Sequence, residues 1–535
     1  GTVAIGHVAL TALTSGAGNT AVGYQSLDAL TGSGQNTALG YGTLGALVDG
    51  DQNTAVGYNA MTSGTHTSFN FNTVVGANAG DAFTSVAIEH VTGVGANCLG
   101  GALTDGANGA VAVGSSALGA LTSGGRNTAI GFETLSTLTQ ASHNIAIGYN
   151  ALKDSSGTTS HRNICIGSYT MDGVGSNIAA DNICLGYDTG TAITTGDNNV
   201  IIGSYAGDAM TSAESNVIIG FETGTSLTIG RYNTAVGYKA LNTDDVGDRS
   251  TALGFQSLYS QNSDSDNEMT QNVGLGMYSG YHNVTGKENT WVGYGAGLGA
   301  SGQSNSNNTG VGDRVMLDVT TGGSNSALGG KAGTNISSGN NNVCIGYEAG
   351  DTLTTGGNNT IIGTSADVSA SGAEKRIVIG VVSSNASSDT TIYIGDNSNY
   401  LSYGYGSGGN VTITSDVRIK KNIRDTDLGL DFVNQLRPIK YNMRNPKDWE
   451  DGLAGENPDD YGKDCDKPDY DGFVAQEVKS TMDSLGVSFS GWEVEDNDKF
   501  ENPRQRLAYS QFVVPLVKAV QELSQQVEDL KAQIN

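Results

Sequence analysis

Proline is absent from residues 1–414; the six in the chain all follow. Cysteine is scarce as well, and five in 535 residues exclude a disulfide framework. Charged residues make up 15% and hydrophobic residues 37%, the balance of a folded chain rather than a disordered one. Bases are few: 27 Lys and Arg stand against 54 Asp and Glu, a net charge of −27. That balance argues against nucleic acid or an anionic membrane as a partner. No run of 18 apolar residues occurs, so no membrane insertion through a helix is expected. No leader peptide is visible and the chain starts at Gly1 rather than Met, which reads as a fragment or a processed form.

Glycine, by contrast, is abundant, with 78 residues, about twice the usual share. Lacking a period of three and almost lacking proline, the chain is not collagen. Composition changes sharply near residue 415. Residues 1–414 hold 71 of the glycines and all six His, with a net charge of −19. Residues 415–535 hold all the proline and no His, with a net charge of −8. These are two separately built regions.

The first region is a repeat. Asn19–Tyr24 reads NTAVGY, and the frame returns as NTALGY at Asn36, NIAIGY at Asn144, NICLGY at Asn182, NTWVGY at Asn289 and NVCIGY at Asn342. Twenty-one motif glycines run from Gly6 to Gly363, mostly 17 or 19 apart with one gap of 22, and Asn stands four residues before 17 of them. Each unit is a short extended stretch, a glycine and a run of small residues. Alternation puts Thr20, Val22 and Tyr24 on one face and Ala21 and Gly23 on the other. The Ala/Gly face permits the close approach that a packed interior or a subunit contact needs. A unit this short must stack on its neighbours. The expectation is a mainly β fold: a parallel β-solenoid, one coil per unit, coils about 4.8 Å apart and a rod on the order of 100 Å long. The Asn is expected to stack as a hydrogen-bonded ladder. Adding residues in twos keeps the faces in register, which explains the preference for 17 and 19.

Two other solenoids compete with this reading. Calcium-binding rolls need Asp at fixed positions, and the Asp here are scattered. Ice binding through Thr rows is open to a flat solenoid. Aromatics after the motif glycine, among them Tyr24, Tyr41, Tyr58, Phe132, Tyr149, Tyr187, Phe221, Tyr238, Phe255, Tyr294 and Tyr347, read as a stacked packing ladder ahead of a glycan-binding stripe. Cys165, Cys184 and Cys344 sit where Ala usually stands and read as small buried hydrophobes. No clustered metal ligands and no cofactor motif are seen. The repeats resemble the heads of trimeric adhesins and the shafts of viral tail fibres over residues 1–365. That resemblance implies a trimer. Residues 366–414 read as a β-structured neck or tip, in which Tyr400, Tyr403 and Tyr405 could meet a glycan or a threefold interface.

The second region carries four motifs in order: SDVRIKKNI from Ser415, LRPIKY from Leu436, GFVAQEV from Gly472 and YSQFVVPLVKAVQEL from Tyr509. Together they closely resemble the endosialidase-type intramolecular chaperone, the self-cleaving C-terminal domain of phage tail fibres and spikes. The resemblance implies cleavage of the Thr414–Ser415 bond, with Ser415 as nucleophile and Lys420 as base. The residues fit independently: peptide cleavage by Ser needs a base, the module has no His, and Lys remains. Lys421 is the rival base. Without the family, Ser415 would read as a helix cap with Asp416 in the first turn. Asp416, Arg418, Gln476 and Glu477 match family positions of supporting or structural kind.

The chain closes in an expected helix over 507–534. Leu516, Val520, Leu523, Val527, Leu530 and Ile534 keep 4-3-4-3-4 spacing, a heptad seam. The alternative is one amphipathic helix packed on its own domain. The resulting reading has a shaft over 1–365, a neck or tip over 366–414 and a small α+β chaperone over 415–535. Its implied setting is the virion, outside the cell. Its implied partners are two further copies of the chain in a homotrimer, a host cell-surface glycan or protein receptor, and other virion tail proteins. Autoproteolysis is the only enzymatic act expected. The alternatives are a cellular trimeric surface adhesin, a capsule depolymerase with a site between subunits, and a structural virion filament that retains its trimerisation cap.

Overall fold

The computed structural model describes residues 1–534 apart from 64–68, 84–86, 156–159, 174–177, 382–388, 398–399, 405–410, 413–416, 418–419, 443–469 and 495–503. The chain forms two compact units, Gly1–Ile413 and Thr414–Asn535.

The first unit is the parallel β-solenoid that the repeat predicts. Three-residue strands from Val3–Ile5 to Thr360–Ile362 pair in parallel, each with the next in sequence. Pairing keeps the repeat frame: Thr20, Ala21 and Val22 stand beside Thr37, Ala38 and Leu39. Stacking does not end with Gly363. Ile377–Val381 and Thr391–Asp396 add two parallel strands, and Tyr400–Gly404 and Val411–Thr412 then reverse direction.

Glycine is required after each strand. Gly23 has φ +140°, and a Cβ there would fall on the carbonyl oxygen of Gly40 in the next coil. Beyond the glycine each coil is turn rather than strand, yet its amides still reach across. The Gln25 amide donates to the His7 carbonyl in the preceding coil at 3.1 Å, and the Leu27 amide to the Thr43 carbonyl in the following coil at 3.1 Å. Both residues have φ near +50°. These inter-coil bonds hold side-chain-bearing residues in a left-handed conformation that they otherwise disfavour.

The Ala face of the strand is the interior: Ala21, Ala38 and Ala55 are fully buried. Volume is shared between strand and turn. Small Ala21 and Ala38 are accompanied by buried Leu27 and Leu44, four residues past the motif glycine. Large Ile201, Ile218 and Trp291 are accompanied at that place by Gly207, Gly224 and Gly297. Alternating large and small side chains in this way lets neighbouring coils interdigitate.

The asparagines form the expected ladder. Asn36 takes both its backbone N–H (3.0 Å) and its Nδ2 (3.3 Å) to Asn19 Oδ1, and its Nδ2 also donates to the Gly50 carbonyl at 2.7 Å. Asn53 repeats this on Asn36. Where Ser250 replaces Asn, Gln261 supplies the amide: it donates to Ser250 Oγ at 2.9 Å and accepts from Asn272 Nδ2 at 3.0 Å. Gln261 lies in the 22-residue coil, which stays in register. Parity is therefore not obligatory, because the turns break the alternation before the next strand begins. The same coil closes over Asp244, which accepts from Ser263 N, Ser263 Oγ and Gly247 N, and whose carboxyl is pushed up by burial. Arg376 ends the ladder. Its amide reaches Asn359 Oδ1 at 3.0 Å, and its buried guanidinium pairs with Asp389.

Aromatic rings stack along the outside. Tyr24–Tyr41 and Tyr41–Tyr58 lie 5.1 and 5.3 Å apart with planes within 16°. In such runs ring faces cover one another and ring edges meet solvent, as a packing ladder requires. Tyr169 and Tyr205 stand two residues after the glycine instead of one, and contacts there turn edge-to-face, 86° and 76° against Tyr187. Tyr400 packs on Tyr393 at 5.9 Å. Tyr405 lies outside the described residues, and of Tyr403 only the backbone is described, in a strand. Cys165, Cys184 and Cys344 are free and buried, as is Cys98. Burial pushes the Cys344 thiol up to about 12 and the Cys98 thiol up to about 11. They are inert core residues.

The second unit is a small α+β region. Helices α1 (Leu430–Gln435), α2 (Ala475–Leu485) and α3 (Val513–Ile534) surround a core of Leu428, Phe432, Val478, Met482, Phe489 and Phe512. Leu507 closes a short strand, and helical turns start at Tyr509. The α3 carboxylate Glu522 accepts the first amide of α1, Leu430 N, at 2.7 Å. Among the described residues no helix is long and apolar enough to cross a membrane.

Candidate functional site

The proposed scissile bond Thr414–Ser415 lies outside the described residues, as do Asp416 and Arg418. Lys420 and Lys421 are described and exposed, and the Lys420 amide donates to the Val417 carbonyl at 3.2 Å. Val417 and Ile423 are 68% and 67% exposed, so the apolar side chains of this segment stand largely open.

The three later motifs converge. Ile439–Tyr441, from LRPIKY, pairs antiparallel with Tyr470–Gly472, with Ile439 opposite Gly472 and Tyr441 opposite Tyr470. The turn after Gly472 leads directly into α2, so GFVAQEV is the end of a strand and the start of a helix. Tyr509, from the fourth motif, leans onto this junction, and its hydroxyl accepts the Phe473 amide at 3.0 Å. A Cβ at residue 472 would collide with that hydroxyl. Glycine is needed there for space. Arg437 binds Glu477 across the junction with both ends of its guanidinium, Nε to Oε2 at 3.0 Å. The hydrogen bonds from Arg437 hold the Glu477 carboxyl below its ordinary range. Gln476 is exposed.

Two open clefts flank the Tyr509 ring. One of about 350 Å³ is bounded by Pro438, Lys440 and Gly472, the other of about 520 Å³ by Tyr441, Gln476 and Gln505, and both share Ile439 and Phe473. The first cleft is mainly apolar and the second mainly polar, and the Tyr509 ring forms a wall of both. Among the described residues no cluster of His, Cys, Asp and Glu could hold a metal.

Among the described residues the heptad seam of α3 is not buried. Pro515 and Ala519 face the core, whereas Leu516, Val520, Leu523 and Leu530 are about half exposed and Ile534 more so. Sequence reasoning found the seam and the motifs. It missed the contact of Tyr509 with Gly472 and the Arg437–Glu477 pair. A glycine followed by an aromatic at Gly472–Phe473 was the available signal for the first; nothing local marks the second.

Residues 415–487 match the family model described as chaperone of endosialidase, a family of self-cleaving intramolecular chaperones. No curated protein matches the chain.

Proposed function

We propose that the chain is a viral tail-fibre or spike protein for host attachment, folded as a trimer by its C-terminal unit, which then cuts itself free at Thr414–Ser415. The observation that carries this reading is the family match, whose first residue is Ser415, the proposed nucleophile. Ser415 Oγ attacks the Thr414 carbonyl carbon, Lys420 takes the hydroxyl proton and passes it to the leaving amine of residue 415, and water releases the acyl group. A lysine serves as base when its amine is neutral, a form that burial favours. Lys420 is exposed on one chain, so the reading assigns its enclosure to the assembled trimer.

The folding logic supports the same reading. A long parallel stack offers many near-equivalent pairings, and trimers of it fold slowly and risk slipping. A C-terminal module with an exposed heptad seam gathers three chains and fixes a common start. After its release the shaft persists behind its unfolding barrier. The mature fibre is then residues 1–414, with receptor contacts and docking to other tail proteins in the virion.

The test is a denaturing gel and intact mass of the wild type beside Ser415→Ala and Lys420→Ala. Splitting of the wild type alone at Thr414–Ser415 supports the reading. A whole wild type that folds and trimerises makes the module a permanent cap. Cleavage that survives Lys420→Ala but is lost in Lys421→Ala moves the base to Lys421.

A further inference from the structure

A charge-free apolar column runs along the outside of the solenoid. At the register position of Ile5, each of the 23 parallel strands through Thr391–Asp396 carries Val, Ile or Leu. These side chains point away from the buried Ala row. Leu39, Val94, Leu253 and Leu328 are 47, 40, 42 and 52% exposed. The companion outward position, that of Val3, holds Val, Ile, Thr or Ser in every strand. No charge falls at either position, in a chain with 54 acids and 27 bases. A solvated face of this length would carry charged residues, whereas one that is covered excludes them.

We infer that this column is the contact face between copies of this chain, joined in parallel and in register. The inference rests on the trimer of the proposed function and names the surface that makes it. Spacing selects the occupant. A partner that covers the whole column must present an apolar group about every 4.8 Å along it, and a second copy does so coil for coil. Area agrees. Eleven of the column's residues are 36–60% exposed, apolar surface on the scale of the about 800 Å² per partner that a stable interface buries. The same register position recurs in every strand, so copies joined in register bring identical residues together around a common axis.

The experiment is cross-linking of the full chain in a Cys465→Ser, Ser415→Ala background, where Cys98, Cys165, Cys184 and Cys344 are buried. Leu253→Cys and Leu328→Cys are each treated with a short bis-maleimide, beside Gln140→Cys on an exposed turn, and mass in solution is measured for each. The expected result is a trimeric mass with covalent dimers from residues 253 and 328 and none from residue 140. A trimeric mass with no more cross-linking at 253 and 328 than at 140 overturns this face and leaves the trimer standing. A monomeric mass overturns both.

Discussion

The ring of Trp291 fills the space into which a side chain at Gly310 would project, with Cζ3 2.7 Å from the place of that Cβ. The two are neighbours on adjacent strands, Trp291 opposite Gly310. Gly280 and Gly297 yield to the same ring from the turns. One large residue is thus housed by three absent side chains in three coils.

Gly310→Ala tests that housing directly, since its backbone is one that alanine adopts freely. The expected cost is about 1–3 kcal/mol from overpacking. In a Trp291→Ala background, itself destabilised by about 3–5 kcal/mol, the added methyl should be neutral or helpful. Denaturant unfolding of the four chains checks this, and equal penalties in both backgrounds would refute the contact.

Exchange of volume between strand and turn should be reversible. Ile218→Ala alone opens a cavity at a cost of about 2–5 kcal/mol. Gly224→Leu alone overfills the coil by about 1–3 kcal/mol. Together they recreate the Ala21–Leu27 pattern, and the φ of +58° at Gly224 is near the +51° that Leu27 already adopts. The double variant should recover most of the loss, a coupling that a thermal-melt cycle reads.

The ladder predicts a graded response at Asn199. Its Oδ1 accepts from Asn216 N and Nδ2, both at 3.0 Å, and its Nδ2 donates to the Ala213 carbonyl at 2.8 Å. Asn199→Ala leaves these buried groups unpaired, for about 1–3 kcal/mol. Asn199→Asp replaces a donor with a second oxygen facing that carbonyl and should cost more. A melt in which the Asp variant outlasts the Ala variant would contradict the donor assignment.

Acidity should stabilise the last coils. Burial, followed by a carboxyl–carboxylate hydrogen bond with Asp351, raises Asp367 to about 7. Its folded pKa lies above the unfolded 3.8. The folded state therefore holds the proton more tightly, and this contribution falls as pH rises from about 4 to about 7. Asp389 moves the other way, held low by the Glu374 amide and then by Arg376, so its contribution fades only in stronger acid. The wild type should melt higher at pH 5 than at pH 8. Asp367→Asn should shrink the difference without abolishing it, because Asp172 is also raised, to about 6. An unchanged difference would remove Asp367 from the account.

Much of this was legible in the residues, and the failures have physical causes. Gly23 and Asn36 announce themselves because each touches its own counterpart one coil away, so the same demand recurs at every repeat. Strands at Ile377 and Thr391 were legible, but their place in the stack was not, because Arg376 and Thr391 occupy the ladder position of Asn, although RIVIG and TIYIG keep the rest of the frame. The volume exchange between Ile218 and Gly224 was hidden because each residue alone breaks the pattern and only the pair obeys it. In the second unit, Gly472 owes its identity to Tyr509, 37 positions further on. No window of sequence contains both requirements, and only the folded chain brings them together.

Strand pairing joins each coil to the coil before it and the coil after it. Length is therefore a free variable for this molecule. A gene that gains or loses one unit lengthens or shortens the protein by one strand spacing, about 4.8 Å, and keeps the parallel pairing of the remaining strands. Some stretches are bound to their place: Ser250 to Asn272, where Gln261 stands in for a missing rung, and the coils around Trp291, whose ring needs Gly280, Gly297 and Gly310. Between such places reach can be adjusted by counting.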